Sequence, residues 1–331
     1  MRIGIAFDLK SDLVGAHGAV GPEDRFEEYD SQETVHAIRE ALRADGHDVS
    51  LLGGGRAFVD AMRSTPPELV FNIAEGWGTR SREAHVPAVC EMLGVPVTHS
   101  DPLTLALSLD KAMTKRVVAA CGVPTPRYAV IAKPADLENL ELGFPVIAKP
   151  LAEGSSMGVR RHSRITNSAT LREHCIQLIA DYDQPVLVEE FCSGPEFTVG
   201  VLGTDSSSRV LGIMEIVPKL TRREEFVYSL EVKRDWRNEV EYHVPPKRPE
   251  NELAAIEQVA LSAYRALCCR DIGRVDVRMD SSHQPFFLEI NPLPGINPTT
   301  GDIVILASRL GVGYPELIRA VVASARQRFP R

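Results

Sequence analysis

Apolar residues recur along this chain in two rhythms, and the alternation between them predicts its architecture. Short runs with β character fall at residues 2–7, 48–52 and 69–73, whereas residues 34–44 place Val35, Ile38 and Leu42 on one helical face. Ser31 stands where an N-cap is needed, and Gly46 lies just past the helix end. Strands alternating with helices in this way predict an α/β unit with a parallel sheet. Another helix is expected from an Asp110 cap to Cys121, stopped by Gly122 and by Pro124 and Pro126, which cannot continue it. A boundary is expected near residue 100, before that helix.

Beyond it, apolar runs at 128–131, 145–148 and 186–190 alternate with a helix around 169–180, a second α/β pattern. The last part carries strands at 197–202, 210–217, 274–279 and 285–290, with helices near 251–267 and 315–328. Between them residues 218–249 read as polar and irregular, and so long a loop is more often functional or mobile than inert. Three units are expected: residues 1–100, 101–203 and 204–331.

Composition narrows the classes. A chain of 331 residues is long enough for two or three cores with a cleft between them. Its 44% hydrophobic and 25% charged content is ordinary for a globular protein, and a net charge of -8 disfavours binding to nucleic acid. No apolar run approaches the roughly 18 residues of a membrane span, and the first strand is too short for a signal sequence. Six cysteines lie scattered without a Cys-x-x-Cys spacing, so no zinc site or disulfide framework is indicated and a cytoplasmic protein with buried thiols is expected.

The richest chemistry lies near the C-terminus, in Gly273-Arg274-Val275-Asp276-Val277 followed by Glu289-Ile290-Asn291. Side chains alternate across a strand, so Arg274 and Asp276 share one face, and Glu289 and Asn291 share one face of the next strand. Two carboxylates and an amide beside a cation suit Mg²⁺, which takes hard oxygen donors and completes its shell with water and substrate phosphates. The competing reading is a hairpin with ordinary polar positions on its wet side. Upstream, Lys149 ends an apolar strand and is followed by Glu153-Gly154-Ser155-Ser156-Met157-Gly158. Such a loop can turn N–H groups and hydroxyls toward phosphate oxygens, although a plain surface turn explains its small residues as well. Neither a Walker loop nor the dinucleotide Gly-x-Gly-x-x-Gly pattern is present. Glu189 and Glu190 end another apolar strand before Phe191. This position suits an adenine hinge, and, taken alone, equally a hairpin with solvated glutamates.

Taken in order, these motifs resemble the ATP-grasp superfamily and, within it, the D-alanine–D-alanine ligases. The resemblance runs through Leu107-Ser108-Leu109-Asp110-Lys111, the 145–158 segment, Ser193-Gly194-Pro195-Glu196-Phe197-Thr198-Val199, the 273–277 strand and Glu289-Ile290-Asn291. It implies an α/β ATP-grasp fold, α+β in its ATP-binding half, with nucleotide held between central and C-terminal units. By the same resemblance Lys111, Lys149 and Lys233 face the ATP phosphates with Ser156, and Glu189 and Glu196 take adenine and ribose. Phe191 and Cys192 form the hinge beside the base. Asp276, Glu289 and Asn291 hold a pair of Mg²⁺ ions, which Mn²⁺ can replace. Arg274 stabilises the tetrahedral intermediate with the backbone of Gly295 as oxyanion donor, Ser155 positions substrate, and 218–249 forms part of a lid. The implied reaction joins a carboxylate to an amine through an acyl phosphate, as in peptidoglycan biosynthesis. The implied partners are small amino-acid substrates and a second copy of the chain in a homodimer, with no nucleic acid and no membrane.

The substrate end departs from the family pattern. Glu27 aligns best with the acid that binds the first amino group. Glu75-Gly76 stands in place of a His-Gly pair, with Arg80 and Arg82 nearby to bind a different acid. Arg234 replaces a tyrosine after Lys233, and Pro298-Thr299-Thr300 replaces a Ser-His-Ser stretch, leaving Thr300 as the matching hydroxyl. These changes predict that D-alanine alone is a poor substrate. D-alanyl-D-alanine formation is the specific expectation. A ligase with another substrate pair, a small-molecule kinase and a nucleotide-binding module are the alternatives, the last disfavoured by retention of Arg274 with the metal set.

Overall fold

The first apolar run becomes strand β1 (Arg2–Phe7), flanked in parallel by β2 (Asp48–Gly53) and β3 (Leu69–Ile73). The computed structural model describes residues 1–18 and 21–329. The helix Gln32–Ala44 begins where the Ser31 hydroxyl accepts the Thr34 N–H at 3.4 Å, and it buries Val35, Ile38 and Leu42 against this sheet.

A four-stranded antiparallel sheet follows, built from β4 (Tyr128–Ile131), β5 (Val146–Pro150), β6 (Arg164–Ile165) and β7 (Val186–Glu190) in the order β4-β7-β5-β6. Alternation along β7 divides its contacts. Val186 and Val188 pack beneath the helix Ser168–Tyr182, whereas Leu187 joins Ala112 and Leu151 on the opposite face. Glu189 shares the Leu187 face, which looks into the cleft.

The third sheet is antiparallel and ordered β10-β9-β8-β11-β12, with β8 (Glu196–Leu202), β9 (Arg209–Pro218), β10 (Val240–His243), β11 (Ile272–Met279) and β12 (Pro285–Asn291). Because β8 pairs with β9 and β11, the break between the two antiparallel sheets falls at the 191–195 turn and not after residue 203. The helix Lys111–Ala120 also departs from the expected division. Its Val118 packs with the third sheet and the helix Glu250–Ala266. Residues 218–249 are more ordered than their composition suggested, folding into the helices Leu230–Arg234 and Trp236–Glu239 before β10. None of the helices among the described residues is long and apolar enough to cross a membrane.

The two ends of the chain share a core. Ile303, Val304, Leu317, Ile318 and Val321 pack with Ile3, Ile5, Val35 and Phe71, so the first unit is completed by helices from the last. Asp271 anchors the same junction. Fully buried, it accepts from the His99 N–H at 2.9 Å, from Arg328 at 2.6 Å and from the Ser324 hydroxyl at 2.8 Å. An Asp271→Ala variant leaves Arg328 without its carboxylate partner and is expected to lose about 3–5 kcal/mol in urea unfolding. A loss under about 1 kcal/mol, the value of an exposed pair, would show that the junction does not depend on this charge.

Candidate active site

Register assembles the first wall of the site. On the hairpin β11–β12, Arg274 lies opposite Asn291 and Asp276 opposite Glu289, with an irregularity after Asp276. Arg274 Nη2 lies 2.9 Å from Asp276 Oδ2, and Nη1 lies 3.5 Å from Asp302 Oδ2. Burial opposes the guanidinium charge, but Asp276, Asp302 and Glu289 outweigh it and push its pKa above the ordinary value. The Thr198 hydroxyl donates to Asp276 Oδ1 at 2.9 Å, and Asn291 Oδ1 accepts the Leu293 N–H at 3.1 Å.

The facing wall is cationic. Lys149 Nζ, from the end of β5, lies 2.7 Å from Glu189 Oε1, and Lys115 Nζ lies 2.8 Å from the other carboxylate oxygen. Lys115 and Glu189 are almost wholly buried. Burial alone would raise the Glu189 carboxyl, yet the two lysines hold it at about 2. Lys111 begins the helix Lys111–Ala120, whose Asp110 cap accepts the Met113 N–H at 3.0 Å, and its ammonium donates to the Glu153 carbonyl. Glu289 faces this wall across the cleft. Its oxygens stand 3.9 Å from Lys111, Lys149 and Arg274, too far for hydrogen bonds, so they stay open to a ligand. Against burial, these three cations and Lys233 hold its carboxyl at about 2.

Between the walls runs a cavity of about 780 Å³ lined by Ile147, Leu288, Phe191 and Cys192 at its apolar end and by Lys111, Lys149, Lys233 and Ser156 at its polar end. Arg278 stacks over Phe191 at 4.4 Å and pairs with Glu196 at 3.1 Å, which fixes the hinge. The Cys192 thiol is buried and pushed up to about 12, so it serves as packing and not as a nucleophile. Ser155 and Ser156 both hold positive φ, 48° and 58°, a left-handed conformation uncommon for residues with a side chain. Ser156 donates to the Tyr228 carbonyl at 3.2 Å, tying the loop to the 218–249 segment.

A second cavity, of about 1400 Å³, opens beside the first and shares Tyr228 and Lys233 with it. It is lined by Ser155, Arg274, Asn291 and Gly295 and by the acids Glu75, Glu83, Asp30 and Glu27.

A model of the D-ala D-ala ligase C-terminus matches residues 117–323, more than half of the chain. A D-alanine–D-alanine ligase of Xanthomonas axonopodis pv. citri is 38% identical over 292 residues, covering 86% of each chain. The chain belongs to the D-alanine–D-alanine ligase family. Its fold is likewise that of solved members. It aligns over 99% of its length with the D-alanine–D-alanine ligase of Bacillus anthracis complexed with ATP, at a TM-score of 0.72 and 19% identity. The VanG D-Ala:D-Ser ligase of Enterococcus faecalis gives 0.73 over 98% of the chain, also at 19% identity.

As in other ATP-grasp ligases, the working ligands are ATP and Mg²⁺, and the donor set fits the metal. Among the described residues no cluster of three or more His, Cys, Asp or Glu could hold an ion alone. The two carboxylates and one amide of the β11–β12 hairpin suit Mg²⁺, which shares its shell between one or two carboxylates and substrate phosphates. Asp276, Glu289 and Asn291 are the residues that would hold it.

The departures from the family pattern resolve differently from the sequence reading. Glu27 lines the larger cavity, but its carboxylate is clasped by Arg234 at 3.0 Å and Lys10 at 3.3 Å, so it is not a free acid for an amino group. Arg80 is mostly exposed, 3.6 Å from Asp110, and lies outside both cavity walls. Arg82 is buried against Glu28 at 2.8 Å and Glu153 at 3.0 Å, so it is already neutralised. Glu189 has a lysine against each carboxylate oxygen. Thr300 lines the larger cavity, its N–H donating to Asn297 Oδ1 at 3.1 Å. Lys115, Arg278, Asp302 and Glu83 were missed. Lys115 lies one helical turn beyond Lys111 on the same face, a spacing that could have revealed it.

Replacing Lys149 removes a buried cation from both Glu189 and the phosphate end of the cavity. Lys149→Ala is expected to weaken binding of a non-hydrolysable ATP analogue by about tenfold or more, the worth of a charge-assisted contact. The exposed Lys133→Ala control should bind as the parent does. Calorimetric titration with Mg²⁺ checks both, and equal affinities would remove Lys149 from the phosphate site.

Proposed function

We propose that this chain is an ATP- and Mg²⁺-dependent ligase of the D-alanine–D-alanine type that joins a carboxylate to an amine through an acyl phosphate. The observation that carries the proposal is the meeting of Lys111, Lys149 and Arg274 around the unbonded Glu289 carboxylate, where the two cavities adjoin. Adenine would lie between Ile147, Leu288 and Phe191, with Glu196 at the ribose and the three cavity lysines on the phosphates. Mg²⁺ supplies neutralisation of the transferring phosphoryl group.

A substrate carboxylate in the larger cavity attacks the γ-phosphorus. A P–O bond forms to the carboxylate as the bond to ADP breaks. The amine of the second substrate then attacks the acyl carbon, a proton leaves the nitrogen, and phosphate departs. Arg274 faces the larger cavity at the carboxylate's entry to the first, where it can balance the negative charge that develops on the acyl oxygen. The Gly295 backbone is the second donor on this reading. Ser155 and the short helix carrying Lys233 close over the acyl phosphate and limit its hydrolysis. Homodimer assembly and a cytoplasmic location belong to the same reading.

With D-alanine, ATP and Mg²⁺, ADP release should accompany a product of the mass of D-alanyl-D-alanine. Glu289→Gln and Asn291→Ala are expected to lower ADP formation by at least about 100-fold while the protein stays folded, as checked by circular dichroism at the assay temperature. Near-parental rates in both variants would remove the hairpin from the metal site.

A further inference from the structure

The loop that carries Ser155 and Ser156 is gripped at both ends by the N-terminal unit. At its start, Arg82 donates to the Ala152 carbonyl at 3.2 Å and lies 3.0 Å from Glu153, with Glu28 2.8 Å from the same guanidinium. At its end the grip is a single carboxylate. Asp24 is wholly buried. Its Oδ2 accepts the Gly158 N–H at 2.9 Å and lies 3.0 Å from Arg160 Nη1, while its Oδ1 accepts the Tyr182 hydroxyl at 2.7 Å. All three partners come from the unit built on the four-stranded sheet. Asp24 itself is presented from the N-terminal unit by its neighbours. Phe26 stacks on Trp77 at 5.7 Å, and the Tyr29 hydroxyl donates to the Gly76 carbonyl at 2.8 Å.

The contact reaches the phosphate end of the nucleotide cavity through the backbone. The Met157 N–H donates to the Gly154 carbonyl at 2.9 Å and the Val159 N–H to the Ser156 carbonyl at 3.0 Å, so Gly158 and Ser156 belong to one pair of overlapping turns. Ser156 lines the nucleotide cavity. Gly158 holds a φ of 72°, and a Cβ there would stand 2.5 Å from Pro150 and 3.2 Å from the Tyr182 ring. Only glycine lets the turn seat this closely on the end of β5, beside Lys149. Arg160 carries the junction further. Its guanidinium lies 3.8 Å from Glu231 on the short helix that bears Lys233, and the Leu230 N–H of that helix donates to the Val159 carbonyl at 3.1 Å.

Asp24 lies outside the walls of both cavities, so it does not meet a ligand held in either. Burying a carboxylate is costly, and here the charge is answered by a backbone N–H of the loop, a guanidinium and a hydroxyl. We infer that Asp24 is a positioning residue for the reaction: through the Gly158 N–H and Arg160 it fixes the Ser155–Ser156 turn against the nucleotide phosphates. The inference rests on the ligase reading, which assigns that turn to the phosphates. It adds a residue of the N-terminal unit that governs nucleotide affinity without touching the nucleotide.

The test is calorimetric titration of three variants with a non-hydrolysable ATP analogue and Mg²⁺, each first shown to be folded at the assay temperature by circular dichroism. Asp24→Asn keeps the side chain's size and removes its charge, and is expected to bind the analogue at least about tenfold more weakly than the parent. Tyr182→Phe removes one donor from Asp24 and keeps the ring, and is expected to bind about threefold more weakly. Asp271→Asn is the control, since it disturbs a buried carboxylate at the other junction of the N-terminal unit. It should lower the urea midpoint and bind the analogue as the parent does. Parental affinity in folded Asp24→Asn would overturn the inference. An equal loss in Asp271→Asn would overturn it too, because weaker binding would then follow from any loosening of the units. Should Asp24→Asn not fold, Tyr182→Phe decides: weaker binding than the parent supports the inference, and parental affinity overturns it. A parent that binds no analogue would defeat the nucleotide reading itself, and the inference with it.

Discussion

The cleft is organised by a buried line of alternating charge: Lys115, Glu189, Lys149 and Glu289, continued by Arg274 with Asp276 and Asp302. Taking such groups out of water costs several kcal/mol each, and removing one partner from a buried pair typically destabilises by about 3–5 kcal/mol. The charges must therefore face one another. Lys149 and Glu189 come from the four-stranded sheet, Glu289, Arg274 and Asp276 from the five-stranded one, and Lys111 and Lys115 from one helix. With their polar faces opposed, the two sheets cannot close into a common apolar core, and a cavity remains between them.

That constraint also explains why the ends of the chain are tied together. Helices after residue 302 complete the core of the N-terminal sheet, and Asp271 joins β11 to His99 and Arg328. The acids on the N-terminal unit are thereby held at a fixed position relative to Arg274. The pair Arg234 and Glu27 adds a contact from the 218–249 segment to the same unit, on the wall of the larger cavity. Its partial exposure makes it a weak clasp.

Much of this was legible where local rules suffice. Period-two alternation placed Arg274, Asp276, Glu289 and Asn291 together, and the observed register sets them opposite one another. The Ser31 and Asp110 caps were readable from residue type and position. What failed required tertiary knowledge. Nothing in the apolar run 197–202 says which sheet it joins, and pairing with β9 and β11 puts β8 in the third sheet, short of the boundary expected near residue 203. The helix Leu230–Arg234 is too short to display a period. Alignment with the amino-binding acid does not reveal that Glu27 is paired with Arg234, distant in sequence, and spacing does not reveal that Arg80 is exposed beside Asp110.

On the proposed function, the acidic face of the cleft, Asp276 and Glu289, admits a polyphosphate only together with a divalent cation. The most direct measurement is the affinity of a non-hydrolysable ATP analogue with and without Mg²⁺, chelator present in the second case, at constant ionic strength. Without the ion, carboxylates and phosphates confront each other at close range, and affinity should fall by at least about tenfold. Equal affinity in both conditions would mean that the hairpin acids do not meet the nucleotide phosphates, and would contradict the assignment of the cleft.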